Sequence, residues 1–301
     1  MRIFLTGATG FIGLALTSRL QQDGHSVTAW VRSETSARRA LGADVEIALA
    51  GRDALASAIA RCDAVVNLAG APLMDGRWTP ARRAILEHSR ITLTENLVRA
   101  MADATPRPRV FISGSAVGYY GDRGDEPLTE TSEAGDDFLA RLCRRWEDAA
   151  EQADALGRRV MQLRTGVVVG RGGGALAQML PPFRLGLGGP IGAGTQYMPW
   201  IHLDDVVGII ATALVDDRYR GPVNGVAPEQ VTSRAFARAL GGALHRPAVL
   251  PLPAFALKII FGEAASVLLA SQRVEPHALM QHQFAYAFPT LDVALADIVR
   301  K

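Results

Sequence analysis

Cysteine is nearly absent from this 301-residue chain: Cys62 and Cys143 are the only two. Both fall inside segments of apolar periodicity, so no disulfide framework is expected and a reducing compartment, the cytoplasm, fits. Concentrated positive charge is missing as well. No basic run is longer than an arginine pair, as at 38–39, 82–83 and 144–145, and the net charge is only +2. Nucleic-acid binding needs basic charge gathered on one face or stripe, so no nucleic-acid partner is expected. The six histidines show no ligand spacing with one another or with cysteine, which argues against a metal site. An uninterrupted membrane-length apolar run is also lacking. Residues 249–270 come nearest, but Pro251, Pro253, Lys258, Gly262 and Glu263 divide them, and a span needs about 20 apolar residues in a row. That stretch reads instead as buried helices of a soluble domain. Met1-Arg2 runs straight into a strand, so no signal peptide and no membrane partner are expected.

What the chain does have is core-forming material, with 49% hydrophobic and 21% charged residues. Short apolar runs alternate with helical-period segments from the first residue, the pattern of a parallel α/β sheet. Strands are predicted at 3–5, 26–31, 45–49, 64–68, 110–113, 159–163 and 223–224. Helices are predicted at 11–20, from Pro80 onward behind Thr79 as N-cap, from about 137, and at 204–215. On the helix after 137, Leu139, Leu142, Cys143, Trp146, Ala149, Ala150 and Ala153 keep the three/four spacing of one buried face. Glycine and proline crowd 166–199, which suggests an excursion over the sheet edge, and 232–301 reads as helix-rich.

The expected fold class is therefore α/β: a doubly wound parallel Rossmann sheet with a smaller helix-rich C-terminal cap domain. Residues 1–165, rejoined by 204–225, would form the dinucleotide-binding domain. Residues 166–203 and 226–301 would form the cap over a small-molecule substrate.

The sharpest local signal is Thr6-Gly7-Ala8-Thr9-Gly10-Phe11-Ile12-Gly13, with a strand before it and a helix opening within it. Gly7 permits the tight turn, Gly10 lets the backbone approach a pyrophosphate, and Gly13 lets helix and strand pack closely. The diphosphate would rest on the free N–H groups of Thr9 to Ile12 at the positive end of the helix. An NAD-specific site would place a carboxylate at the end of the second strand to hold the ribose 2′-hydroxyl. Arg32 stands there, beside Ser33. A guanidinium suits a 2′-phosphate, which makes NADP the expected cofactor, with a solvated surface arginine as the alternative. Leu68, Ala69 and Gly70, following Asn67, would face the cofactor ribose from the carboxyl edge of the sheet; a plain strand-end turn is the other reading.

With these pieces together the sequence resembles the extended short-chain dehydrogenase/reductases, which include sugar-nucleotide epimerases and dehydratases. The glycine motif at 6–13, Asn-Leu-Ala-Gly at 67–70, Ser113-Gly114-Ser115 with Tyr120-Gly121, and Trp200-Ile201-His202-Leu203-Asp204-Asp205-Val206 carry the likeness. A narrower group, the "epimerase family" proteins with a C-terminal domain of unassigned function, fits better still. Its marks include Arg77-Trp78-Thr79, Ser89-Arg90-Ile91, residues 114–121, Trp146-Glu147, Leu163-Arg164-Thr165-Gly166, Met198-Pro199-Trp200 and Arg246-Pro247-Ala248. The resemblance implies an NADP-dependent oxidoreductase or epimerase.

It also implies a catalytic Tyr with a Lys four residues later on one helix face, and a Ser that holds the substrate oxygen. Ser115, just past the fifth strand, would be that serine. In this register Leu139 and Cys143 occupy the Tyr and Lys positions, and no Tyr or Lys occurs between Asp122 and Arg164. Leu139 cannot move a proton, and a thiol on a buried face is inert packing. Either Tyr119 or Tyr120 supplies the acid from the loop, or both pack the loop and no acid exists. Arg82 and Arg90 are candidates for an anionic substrate or the cofactor phosphates, and His202 reads as a hydrogen-bonded structural histidine. Two function classes stay open: an atypical oxidoreductase or epimerase acting on a small polar substrate, and a non-catalytic NADP(H)-binding redox sensor. A homodimer is left open as well.

Overall fold

The computed structural model describes residues 1–51 and 53–300. Seven strands build one sheet: β1 (Arg2–Thr6), β2 (Ser26–Val31), β3 (Glu46–Leu49), β4 (Ala64–Asn67), β5 (Val110–Ala116), β6 (Arg159–Thr165) and β7 (Gly221–Gly225). Their order is β7-β6-β5-β4-β1-β2-β3, and every neighbouring pair is parallel. The chain winds outward from β1 through β2 and β3, then crosses back to β4 and continues the other way. The carboxyl ends of β1 and β4 therefore flank the topological switch point, where open α/β sheets hold their ligands.

Alternate residues of each strand feed two cores, as the two-residue period of a strand requires. Ile3, Leu5, Val66 and Ile112 lie in one with Leu16 and Leu20 of helix α1 (Phe11–Gln22). Phe4, Val65, Phe111 and Val160 lie in the other with Leu97 and Met101. Burial on both faces explains why these strands read as continuous apolar runs.

Helix α2 (Glu34–Leu41) follows β2. Helix α3 (Pro80–Glu87) starts as expected, the Thr79 side chain accepting the Arg82 N–H, but it does not run on unbroken. Residues His88–Thr92 form a single π turn before α4 (Leu93–Asp103). Helix α5 (Phe138–Glu151) is capped by Asp137, which accepts the Ala140 N–H at 2.8 Å. Helix α6 (Gly174–Arg184) interrupts the glycine-rich excursion, and α7 (Leu203–Val215) brings the chain back under the sheet. Strand β5 runs to Ala116, three residues beyond its expected end, so Ser115 lies within the strand rather than after it.

Helices α8 (Ser233–Ala243), α9 (Ala254–Phe261) and α10 (Leu291–Val299) belong to the C-terminal region. Phe236 and Leu240 of α8, Leu291 and Leu295 of α10, and Leu176 and Phe183 of α6 share a third core. The expectation of buried helices over 249–270 is corrected. Leu257, Ala264 and Ala265 are buried, but Val249, Leu252, Phe255 and Ile259 face solvent. The prolines and Gly262 that break this stretch leave α9 only two turns long, and only one of its faces meets the molecule. Among the described residues, no helix is long and apolar enough to cross a membrane.

Candidate dinucleotide and proton-transfer site

The loop joining β1 to α1 lies at the switch point. Gly7 adopts φ +71°, and a methyl group there would sit 2.7 Å from the Leu68 carbonyl, so only glycine lets this loop pass the end of β4. A methyl on Gly13 would collide with the Gly7 carbonyl oxygen, so that residue sets how closely α1 packs on β1. Thr9 and Gly10 are exposed. Gly10 is the N-cap of α1 and supplies no side chain, and the first turn carries no acid. The leading N–H groups of the helix, those of Phe11, Ile12 and Gly13, are thus left for an anion. The ring of Phe11 is taken up elsewhere, against Gly170, Gly173 and Gly174. Gly174 opens α6, and that helix too has no side-chain cap, so two uncapped N-termini meet across the Phe11 ring. The run Gly172-Gly173-Gly174 was the sequence signal for this second loop.

Arg32 lies one residue past β2, is exposed, and makes no ion pair among the described residues. Ser33 is committed as the N-cap of α2, accepting the Ser36 N–H. No carboxylate occupies residues 30–33.

Leu68, Ala69 and Gly70 leave β4 at the sheet's carboxyl edge, held from beneath by a buried polar relay. The Thr6 hydroxyl donates to Asn67 Oδ1 at 2.6 Å and accepts the Ala69 N–H at 3.2 Å. The Asn67 amide donates to the Thr94 hydroxyl at 2.9 Å, which also accepts the Trp146 indole N–H at 3.0 Å. The π turn aims Ser89 and Arg90 at the same loop: Ser89 accepts the Ala71 N–H, and Arg90 donates to the Ala71 carbonyl at 3.0 Å. Single π turns concentrate at functional sites. The Arg90 guanidinium lies 5.4 Å from the Trp146 ring centre and has no carboxylate partner among the described residues. Burial lowers its pKa, a pull that neighbouring Cys143 opposes and Arg82 reinforces. Arg82 is held by the Pro72 carbonyl and lies 3.5 Å from Asp75.

Ser115, Arg164 and Asn224 are register partners across β5, β6 and β7, so they share one row of the sheet. The Ser115 hydroxyl donates to Glu147 Oε1 at 2.5 Å. Arg164 pairs with both oxygens of Glu147, at 2.9 and 2.8 Å. It also donates to the Tyr120 hydroxyl at 3.0 Å, which in turn donates to Asn224 Oδ1 at 2.7 Å. Burial works against the Arg164 charge, but the hydrogen bonds and charge of Glu147 outweigh it and raise the pKa. Burial pushes the Tyr120 hydroxyl up to about 12, against the pull of Arg164. Tyr120 is fully buried and both hydrogen-bonding roles of its hydroxyl are filled.

Tyr119 differs. It is half-buried, its ring lies 3.5 Å from the Arg164 guanidinium carbon, and its hydroxyl has no hydrogen bond among the described residues. On α5, Leu139 and Cys143 are buried, two turns and one turn before Glu147. Burial, with Glu147 second, pushes the Cys143 thiol up to about 12. His202 is an N-cap: its Nδ1 accepts the Asp204 N–H at 3.1 Å, and its ring lies 3.7 Å from that of Phe288.

A cleft of about 420 Å³ opens beyond the Tyr119–Tyr120 turn, between Asp122 and Asp125 on one side and Thr195, Gln196, Tyr197 and Ser271 on the other. A larger hollow of about 520 Å³ lies at the amino ends of β1 and β2, beside Arg2, His25 and Asp63. That is the wrong edge of the sheet for a ligand of this fold. Among the described residues, no three metal-ligating side chains converge.

Comparison with known proteins agrees with this geometry. The model of the NAD dependent epimerase/dehydratase family matches residues 3–224, and a domain of unknown function, DUF1731, matches 252–298. The epimerase family protein SDR39U1 of Bos taurus is 42% identical over 304 residues, which cover 99% of this chain and 100% of that protein. The crystal structure of human SDR39U1 (isoform 2) with NADPH superimposes with a TM-score of 0.88 at 38% identity, covering 99% of both chains. A nucleoside-diphosphate sugar epimerase of Corynebacterium glutamicum gives a TM-score of 0.78 at 34% identity, covering 99% of this chain and 58% of the longer one.

Proposed function

The chain belongs to the NAD dependent epimerase/dehydratase family, and we propose that it is an NADP(H)-dependent oxidoreductase or epimerase acting on a small polar substrate. The observation that carries the reading is the uncapped, acid-free N-terminus of α1 at the switch point, with Arg32 where an NAD-specific carboxylate would stand. The NADPH held by human SDR39U1 supports the same cofactor here. The N–H groups at 11–13 would hold the diphosphate, Arg32 the 2′-phosphate, and the backbone at 68–70 the ribose. When bound, the cofactor supplies or accepts a hydride.

Arg90 brings a buried positive charge beside Cys143, the position where the resemblance would put a lysine. The sequence has only two lysines, Lys258 and Lys301, and neither falls at that position in the sequence. Tyr119 is the group left free to move a proton. Tyr120 and Ser115 are spent on the Glu147–Arg164 pair, so we assign them to positioning the Tyr119 turn. Residues 1–165 with 204–225 act as the cofactor domain and the rest as the cap. The substrate would enter the 420 Å³ cleft between them, whose carboxylates, amide and hydroxyls suit a polyhydroxy compound. The two buried thiols fit a cytoplasmic setting.

One observation favours the sensor reading: the serine and one of the two tyrosines are already satisfied inside the fold. NADPH consumption against a panel of aldehydes and ketones, together with NMR of sugar nucleotides for epimerised product, which forms with no net use of cofactor, separates the two. An enzyme should lose its chemical step in Tyr119→Phe, with NADPH affinity unchanged, and keep most of it in Cys143→Ala. If Tyr119→Phe turns over like the parent, the proton route is wrong. If no substrate is consumed by a parent that binds NADPH, the sensor reading replaces the enzyme.

A further inference from the structure

Arg164 is paired with Glu147, and Arg82 lies 3.5 Å from Asp75. Arg90 has no such partner. Among the described residues its guanidinium donates to neutral oxygens alone: the Ala71 carbonyl at 3.0 Å, the Ser89 hydroxyl at 3.4 Å and the Leu86 carbonyl at 3.5 Å. The neighbouring Cys143 thiol stays neutral, since burial pushes it up to about 12. Burial lowers the Arg90 pKa as well, but a guanidinium keeps its proton inside proteins. A full positive charge is therefore held here without a counter-charge. It lies against the loop that faces the cofactor: a methyl on Gly70 would sit 3.1 Å from the Arg90 guanidinium carbon, so no side chain separates the two. Given the cofactor reading above, sheet order decides which half of the cofactor comes here. With the diphosphate at the end of β1 and the 2′-phosphate at Arg32 past β2, the adenosine half takes the β2 side. The nicotinamide half is left the other side, over β4 and β5, where Gly70 and Arg90 lie.

We propose that Arg90 makes the protein select the reduced cofactor, holding NADPH more tightly than NADP⁺. The nicotinamide ring is a cation when oxidised and neutral when reduced. The diphosphate and 2′-phosphate carry the same charge in both forms, so their contacts cancel in the comparison. A fixed guanidinium on the nicotinamide side does not cancel, because it repels the oxidised ring alone. The bound couple becomes easier to reduce, by about 30 mV for each tenfold of preference. This narrows the proposed reaction. An epimerase begins by taking a hydride from its substrate, so it has to retain the oxidised cofactor. A site that keeps NADPH and lets NADP⁺ go suits a reductase. A carbonyl carbon takes the hydride, its oxygen takes a proton, and an alcohol and NADP⁺ are released.

Calorimetric titration of NADPH and NADP⁺ into the intact chain, Arg90→Gln, Arg90→Met and Arg90→Lys tests the proposal. The parent should bind NADPH about tenfold more tightly than NADP⁺, the order of effect a unit charge has in a partly buried site. Arg90→Gln and Arg90→Met should bring the two affinities together, and Arg90→Lys should keep most of the preference. Both affinities are read on one sample of each variant, so a loss of folded protein does not move their ratio. Should one neutral variant fail to fold, the other decides with the parent. A parent that binds both forms equally overturns the inference. So does equal weakening of both forms in the neutral variants, which would make Arg90 a phosphate contact. A ratio that falls in Arg90→Met but not in Arg90→Gln also overturns it, assigning the effect to the hydrogen bond with Ala71 instead of the charge. A parent that binds neither form removes the cofactor reading itself, and the inference with it.

Discussion

Arg164 joins three elements at a single point. Its guanidinium is forked onto Glu147 of α5, donates to Tyr120 in the turn after β5, and stacks on Tyr119. Both members of the ion pair are nearly excluded from solvent. Removing one leaves the other charged, buried and unpaired, so the expected loss is about 3–5 kcal/mol. Glu147→Ala should lower the urea unfolding free energy by that amount, and Ser115→Ala by far less, since it leaves the Arg164–Glu147 pair intact. Equal small losses in the two variants would mean that the pair does not anchor the fold. None of this was legible from the sequence. Trp146-Glu147 and Leu163-Arg164 stood out as marks of a family, but the two residues lie on different elements with no local pattern to pair them. The chemistry of Tyr119 and Tyr120 stayed ambiguous for the same reason: which hydroxyl is free depends on Asn224, over 100 positions away.

Periodicity made most of the elements readable, because each strand and helix buries a face with its own repeat. Two boundaries escaped. A π turn adds one residue to a helix and barely disturbs the apolar pattern, so the stretch from Pro80 onward reads as one long helix although His88–Thr92 is wider. The end of β5 was hidden by Gly114 and Ser115, weak strand formers held extended by pairing with β6. The start of α7 carries a prediction of its own. His202 caps it through an unprotonated Nδ1, and burial lowers its pKa. A group whose folded pKa is depressed gives stability that is present above the unfolded value, near 6.5, and lost as pH falls through the folded one. Unfolding free energy should therefore drop below about pH 6.5. His202→Asn, which keeps a capping oxygen, should flatten that part of the profile. An unchanged slope in the variant would assign the acid sensitivity to other groups.

Over the whole molecule, the fold class was legible because seven parallel strands and a glycine loop at the first turn admit few other arrangements. The exposure of α9 was not, since an apolar stretch reads the same whether its own chain covers one of its faces or all of them. What unites the two halves of the account is the cofactor. The loops at 7–13, 32 and 68–70 and the Arg90 charge gather around the switch point at the carboxyl edge of the sheet, where NADP(H) would lie. Calorimetric titration of NADPH and NADH into the parent and into Arg32→Ala tests this most directly. The parent should bind NADPH more tightly than NADH. Arg32→Ala should weaken NADPH about tenfold or more, the worth of a charge-assisted contact of about 1.5–3 kcal/mol, and leave NADH nearly unchanged. Equal affinity for the two cofactors in the parent, or equal losses in the variant, would contradict the account.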